Sequence, residues 1–226
     1  MFDFNDYRRL STMLHPLPEG VSAVCVLGAP TRPENEPSED GLHDAFLWRP
    51  YLEQQWGGPD SELLMFVLMN PSSADAEYND NTTRKCMEIA REHGFGGMIV
   101  TEVWALRSTG NEWLLAEPGA AGSDMEYLQM FTSGDIDVGT EYYQSLMHLH
   151  GDIDFIAAAL QNPRVETVYC GWGSHPEASA QVRIQKISSV LQASGKNIVC
   201  GGQNEDGSPR YALYTPAGSP FVPFNL

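Results

Sequence analysis

The sequence is poor in basic residues, and in lysine above all. Thirteen lysines and arginines stand against thirty aspartates and glutamates, for a formal net charge of −17, and only three of the basic residues are lysine. Binding to a nucleic-acid backbone needs clustered Lys and Arg, so a general polyanion-binding face is disfavoured. Solubility alone explains such acidity; a halophilic origin, a basic protein partner or a DNA-mimicking surface are the alternatives. A few arginines converging in one cleft could still bind a nucleotide.

The sequence also lacks paired cysteines and long apolar runs. The four cysteines lie far apart, without a Cys-x-x-Cys pair, at Cys25, Cys86, Cys170 and Cys200. This spacing excludes a zinc site that can be recognised from the sequence and predicts reduced thiols in a cytoplasmic protein. No metal or other cofactor is expected. No apolar run approaches the ~20 residues of a membrane span. The N-terminal segment MFDFNDYRRL lacks the apolar core of a signal peptide, so no membrane association is expected.

What the sequence does contain is a set of apolar strands alternating with helices. Its 226 residues, 42% of them apolar, predict a single domain over residues 1–226. The continuous apolar run at 62–69 is typical of a central strand covered on both faces. Helix-linked strands pair in parallel, because each crossover needs a helix. We therefore predict an α/β fold, a three-layer α/β/α sandwich with a mainly parallel central sheet of about four to five strands, at 62–69, 98–105, 165–173, 197–202 and a possible short fifth at 211–216.

An N-terminal β hairpin is predicted in addition to this sheet. The segments 22–30 and 45–56 are its two strands, and Pro50 would place the second strand at an edge. The Pro-rich acidic segment at 31–41 between them is expected to be an exposed loop.

Polar residues follow the first central strand. In parallel sheets, ligands bind beyond the carboxyl ends of the strands. The segment MNPSSADAEYND spans 69–80, and some ten polar residues separate strand from helix where two to six usually suffice. Pro71 forces Asn70 into an extended conformation. Asp75 and Asp80 are candidates for orienting a water molecule, with Asn70 as a third catalytic candidate; alternatively, Asp80 only caps the following helix.

Candidates for substrate binding follow the same strand ends. Arg107 carries a planar, permanently charged guanidinium that suits an anion, and Trp172, between two glycines, offers a stacking surface for a base. The alternatives are a surface ion pair for Arg107, a core position for Trp172, and pairing with Glu88 for Arg84. The full set of predicted substrate-binding residues is Ser72, Arg84, Arg107, Trp172, Arg210 and Tyr211.

Taken in order, four segments resemble a bacterial and phage family described as domain of unknown function number 1643. They are MNPSSADAEYNDNTTRKC, VTEVWALRST, CGWG and DGSPRYALY, and the resemblance covers about residues 45–216. The chain departs from the family pattern at four places. Asn79 stands where the family has Asp, and Asn81 stands where it has Pro. Glu102 replaces the family's Asn, and Tyr211-Ala212 replaces its His-Pro. If the family's histidine is an acid or base, Tyr211 in its place puts activity in doubt.

The order of elements is also similar to the uracil-DNA glycosylase fold, in which comparable polar turns follow the first and last core strands. This likeness implies a fold and not an activity. The leading hypothesis is an enzyme acting on a nucleobase, a nucleotide or a modified DNA base by hydrolysis or transfer. Trp172 would stack on the base, Arg107 or Arg210 would hold phosphate, and Asp75 or Asp80 would orient water. The net charge favours a small nucleotide or flipped base over duplex DNA.

Two other hypotheses stay open. The first is a non-catalytic acidic binding module that engages a protein partner, which the replacement of the expected histidine by Tyr211 favours. The second is a metal-dependent hydrolase using Asp75, Asp80 and Asp206, but these residues lack the spacing of a known metal site.

Overall fold

The structure, a computed structural model, describes residues 14–29, 46–108 and 125–226. The predicted acidic loop at 31–41 falls outside these ranges. The strands of the described part are β1 (His15–Pro16), β2 (Ser22–Ala29), β3 (Trp48–Gln55), β4 (Leu63–Leu68), β5 (Tyr78–Asn79), β6 (Gly97–Glu102), β7 (Tyr127–Ser133), β8 (Val165–Cys170), β9 (Asn197–Cys200) and β10 (Val222–Pro223). Its helices are α1 (Asn81–Glu92), α2 (Glu141–Leu146), α3 (Asp152–Gln161), α4 (Ala178–Ala193) and a 3-10 helix, Ala212–Tyr214.

Eight of these strands form one mixed sheet in the order β10-β9-β8-β4-β6-β3-β2-β7. The pairs β6-β4, β4-β8 and β8-β9 are parallel, whereas β10-β9, β6-β3, β3-β2 and β2-β7 are antiparallel. The predicted mainly parallel sheet of four to five strands is therefore wrong, because antiparallel pairs outnumber parallel ones. The prediction was based on strands that helices connect. It did not include β3, β2 and β7, which extend this sheet beyond β6 by antiparallel pairing. The possible fifth strand at 211–216 is instead the 3-10 helix.

The predicted hairpin strands do pair, but inside the large sheet. β2 and β3 are antiparallel neighbours, and β6 flanks β3 on its other side. Pro50 therefore marks no edge. The β2-β3 register shifts between Val26 and Gly28, and β3 pairs with β6 only from Leu52 onward, so Pro50 lies at an irregularity that needs no N–H donor.

Helices cover both faces of this sheet, which gives three layers. Successive side chains of a strand point to opposite faces. In β4, Met65 and Val67 join the core beneath α2, α3 and α4, while Phe66 and Leu68 join the core beneath α1. All four cysteines are free and buried. Within the described ranges, no helix combines the length and apolarity needed to cross a membrane.

Candidate functional site

A pocket of about 260 Å³ lies where β4 and β6, two parallel neighbours, reach their carboxyl ends. The first turn of α1 and the 3-10 helix form its sides. The residues that matter to its chemistry are Arg49, Asn70, Ser72, Asp80, Thr82, Glu102, Tyr211 and Tyr214. Four of these were predicted from the sequence: Asn70, Ser72, Asp80 and Tyr211.

The buried part of the pocket contains an ion pair between Arg49 of β3 and Glu102 of β6. Each residue is 2% exposed. Arg49 Nη2 donates to Glu102 Oε1 at 2.5 Å, and Arg49 Nη1 donates to the carbonyl of Ala74 at 2.9 Å. Among the described residues, Arg49 Nε and Glu102 Oε2 have no hydrogen-bond partner. Buried donors and acceptors are rarely left unpaired, because each costs free energy. The pair thus has one donor and one acceptor that no described residue satisfies.

The electrostatic surroundings of Glu102 place its titration near neutrality. Burial raises the pKa of its carboxyl to about 7; the neighbouring Arg49 lowers this pKa, and the charge of Asp80 raises it. A carboxyl group with a pKa near the working pH can both give and take a proton. Such perturbed groups in clefts are candidates for catalysis.

Asp80 caps the helix α1 and also lines the pocket. Its Oδ1 accepts from Thr83 N at 2.8 Å and from Thr83 Oγ1 at 3.0 Å, so the capping alternative holds. An Asp at the start of a helix often accepts hydrogen bonds from the first backbone N–H groups in this way. Asp80 also lines the pocket and is 3% exposed. Its charge therefore acts on Glu102 from within the same site.

Polar side chains on the loop after β4 are held by neighbouring groups. Asn70 Nδ2 donates to the carbonyl of Ser108 at 3.0 Å and to that of Pro71 at 3.3 Å. Ser72 Oγ lies 3.3 Å from Ser73 Oγ. Asn70 and Ser72 thus enter the pocket wall from a loop with defined hydrogen bonds.

Two tyrosines form the aromatic side of the pocket. Their rings meet edge to face, with centroids 5.7 Å apart. Tyr211 is half-buried, and its hydroxyl lies 3.3 Å from Thr82 Oγ1. Burial raises the pKa of Tyr211 to about 12, so its hydroxyl stays protonated. Tyr214 is 80% exposed and offers a ring face at the pocket.

Asp75 and Arg107 lie outside the lining of this pocket and hold the loop behind it. Asp75 is 1% exposed, and its Oδ1 accepts from the backbone N–H groups of Glu77 and Tyr78 at 2.8 and 2.9 Å. Burial raises the pKa of Asp75 to about 6. Arg107, 2% exposed, donates from Nε to the Ser72 carbonyl at 3.0 Å and from Nη2 to the Ser73 carbonyl at 3.3 Å. Through these contacts, Asp75 and Arg107 fix the conformation of the loop after β4.

The remaining predicted residues are dispersed. Trp172 is 3% exposed and packs edge to face on Phe224, in the core beneath α2, α3 and α4. Arg84 is exposed and lines a separate cleft. Arg210 is exposed on the turn that follows β9, where its backbone N–H donates to Gly202. The structure therefore does not bring Asp75, Arg107 and Trp172 together around one pocket.

Sequence reasoning missed Thr82 and Tyr214, and it also missed the two charged residues Arg49 and Glu102. Each of the two charged residues was visible inside a strand segment, in FLWRPYL and IVTEVWA respectively. A charged residue is almost never fully buried unless it is paired. Two charges of opposite sign within two apolar strands were therefore the signal for a buried pair.

In the described ranges, no group of three or more His, Cys, Asp or Glu side chains could hold a metal ion.

The family comparison identifies the family of this chain, although not its activity. No curated protein and no solved structure matches the chain, so the expected likeness to the uracil-DNA glycosylase fold is not confirmed. The sequence does match, over residues 49–213 and thus over well more than half of its length, a family described as "Protein of unknown function (DUF1643)". The chain belongs to the DUF1643 family.

Proposed function

We propose that this protein is an enzyme that binds a nucleobase or nucleotide in the Glu102 pocket and hydrolyses or transfers at the N-glycosidic bond. The observation that carries the proposal is the buried Arg49–Glu102 pair, whose Nε and Oε2 have no partner in the described part of the chain. The edge of a nucleobase presents hydrogen-bond donors and acceptors side by side. Arg49 Nε is a donor toward such an edge, and Glu102 Oε2 accepts from it when ionised and donates to it when protonated.

The charge and size of the pocket favour a base over a phosphate in its interior. Asp80 and Glu102 bring two carboxyl groups, against the single guanidinium of Arg49. A phosphate would be repelled there, whereas the N–H groups of a base would be attracted. The pocket volume of about 260 Å³ is slightly below the roughly 300–1,000 Å³ of pockets for drug-sized ligands. A single base with its sugar is the appropriate size, and the exposed Tyr214 ring can stack on it.

The chemistry follows from the position of Glu102. In its protonated form, Glu102 gives a proton to the departing base nitrogen as the bond between that nitrogen and the sugar carbon breaks. A water molecule forms the new bond to the same carbon and returns a proton to the Glu102 carboxylate. The Asp80 carboxylate stabilises the positive charge that develops on the sugar. In a transfer reaction, an acceptor hydroxyl replaces the water.

Ligand screening with one variant and a matched control tests this proposal. Purified protein is titrated with free bases, nucleosides and nucleoside monophosphates, and binding is followed by the unfolding temperature and by calorimetry. Glu102→Gln removes the titrating group, and Glu166→Gln removes a carboxylate that is exposed and paired with Lys196 at 3.2 Å. We expect at least one nucleoside or nucleotide to bind, with about tenfold weaker binding in Glu102→Gln and no change in Glu166→Gln.

Turnover is measured separately, by chromatography of bases and sugars released from each ligand that binds. A group acting as general acid or base contributes about 10²–10⁴-fold, so Glu102→Gln is expected to lose at least a hundredfold in rate. Binding without any turnover would favour the non-catalytic binding module instead. Failure of every base, nucleoside and nucleotide to bind would remove the proposal altogether.

A further inference from the structure

A second cleft, of about 190 Å³, lies on the side of α1 that faces β1 and β5. Arg84, Met87, Glu88 and Arg91 occupy positions i, i+3, i+4 and i+7 of α1 and therefore share one face of the helix. His15, Pro16 and Asn79 from the two short strands complete the cleft together with Pro18. Asp80, the next residue after Asn79, belongs to the Glu102 pocket, so the start of α1 separates the two sites.

Two arginines in this cleft have no acidic partner in the part of the chain that the structure describes. In a chain with a formal charge of −17, most arginines would be expected to meet a carboxylate. Yet neither Arg84 nor Arg91 forms an ion pair within the described residues. The nearby Glu88 carboxylate is instead paired with Lys85 Nζ at 2.5 Å. The cleft therefore has an excess of positive charge in a strongly acidic protein.

Neighbouring groups hold both guanidinium groups in place. Arg84 Nη1 lies 3.1 Å from His15 Nε2. The Arg91 guanidinium carbon lies 4.9 Å from the ring centroid of Trp56, which is a cation–π contact, and Arg91 is exposed. Each contact restrains a long side chain before any ligand binds, which reduces the entropy lost on binding.

One residue that lines the cleft has a buried donor from which no described residue accepts. Asn79 is 1% exposed, and its Oδ1 accepts from Gln54 Nε2 at 2.7 Å. Its Nδ2 has no hydrogen-bond partner among the residues that the structure describes. A bound oxyanion is an acceptor only, so it would use an N–H group of this kind together with the arginines.

We propose that this cleft is a binding site for a phosphate-type oxyanion, recognised by Arg84, Arg91 and Asn79. The guanidinium groups provide paired N–H donors in the geometry that phosphate accepts. The anion is either free phosphate or the phosphate group of a small ester. This site is independent of the Glu102 pocket, and the proposal does not depend on the activity assigned to that pocket.

Calorimetric titration of the full-length protein with inorganic phosphate tests the proposal, at an ionic strength held constant with chloride. Arg84→Gln and Arg91→Gln each remove one recognising cation. Lys186→Gln is the matched control, because it removes one positive charge from an exposed position on α4. We expect saturable binding of phosphate by the wild-type protein and by Lys186→Gln, with about tenfold weaker binding by each arginine variant. The unfolding temperature without phosphate shows that each variant is folded.

Additional titrations identify the source of the phosphate and separate this site from the Glu102 pocket. A nucleoside monophosphate that binds more weakly to Arg84→Gln, when the matching nucleoside does not, would identify an ester as the source. Glu102→Gln is expected to bind inorganic phosphate as the wild type does. The proposal fails if phosphate does not bind saturably, if Lys186→Gln weakens binding as much as Arg84→Gln, or if Glu102→Gln abolishes binding.

Discussion

At the scale of single residues, Glu102 makes the protein less stable as pH rises. The folded protein holds the Glu102 proton more tightly than the unfolded chain, since the pKa is about 7 when folded against an ordinary 4.5. Below the lower value both states are protonated. Between the two values the unfolded state ionises first, so the free energy of unfolding falls with rising pH until the folded carboxyl has also ionised.

Glu102→Gln is therefore expected to flatten this pH dependence. The amide does not titrate, and its oxygen can still accept from Arg49 Nη2. Asp75 and Asp152, whose pKa values burial raises to about 6, contribute a slope of the same sign in both proteins and cancel in the comparison. Urea denaturation from about pH 5 to about pH 8 measures the free energy of unfolding. An equally steep decline in the variant would contradict the burial of a titrating Glu102.

The second prediction concerns Arg107, for which the free energy of unfolding distinguishes a structural role from an anion-binding role. Its guanidinium donates to the carbonyls of Ser72, Ser73 and Phe46, which a lysine cannot all reach at once. We expect Arg107→Ala to lower the free energy of unfolding by about 3 kcal/mol, because buried acceptors lose their donors, and Arg107→Lys to recover less than half of this. Denaturant titration measures both variants. Loss of ligand affinity at unchanged stability would restore the anion-binding role that the sequence suggested.

At the scale of elements, the first turn of α1 connects folding to the site. Asp80 caps this helix and also faces Glu102. Asp80→Ala is expected to cost about 1–2 kcal/mol of stability, whereas Asp80→Asn, which keeps an equivalent cap, costs much less. Both variants remove a negative charge that raises the Glu102 pKa, so both should lower it. Thermal unfolding gives the stability, and the pH dependence of unfolding reports the pKa; a lowered pKa in only one variant would argue against a direct charge effect.

Sequence patterns predicted the elements well but not their neighbours. The run at 62–69 is a central strand with parallel partners on both sides. The apolar spacing in the sequence also predicts a helix at 82–93, and α1 begins and ends within one residue of these bounds. Apolar runs of this kind show that a strand is buried, and helical periodicity shows that a crossover follows. Neither indicates that β3 pairs with β6, nor that the mixed segment at 127–133 adds β7 beside β2.

The candidate site was predictable to the extent that it follows strand ends. Asn70, Ser72 and Asp80 line the pocket because β4 leads directly into this loop and helix. Trp172, by contrast, packs on Phe224, a residue more than fifty positions away that no local pattern connects with it. Arg49 reaches the pocket only because β3 lies beside β6. Long-range strand pairing, rather than local chemistry, decided which predicted residues meet.

At the scale of the whole molecule, the formal charge of −17 should make stability depend on salt. Like charges on a compact chain repel one another, and the unfolded chain spreads them apart. Raising NaCl from about 0.01 M to about 0.15 M shortens the screening length from about 30 Å to about 8 Å. Stability should then increase by about 1 kcal/mol, or about 2–4 °C in the unfolding temperature.

Removing surface carboxylates should have the same effect as adding salt. Glu62, Glu126 and Glu205 are exposed and form no ion pair within the described residues. The triple change of these residues to Gln is therefore expected to raise the unfolding temperature at low salt and to reduce the further gain from NaCl. Calorimetric scans of both proteins across the salt series measure the two effects. Salt screens the Arg49–Glu102 pair little, because this pair is buried. An unfolding temperature that falls with added NaCl would contradict the prediction. It would mean that attraction within exposed ion pairs outweighs the net repulsion.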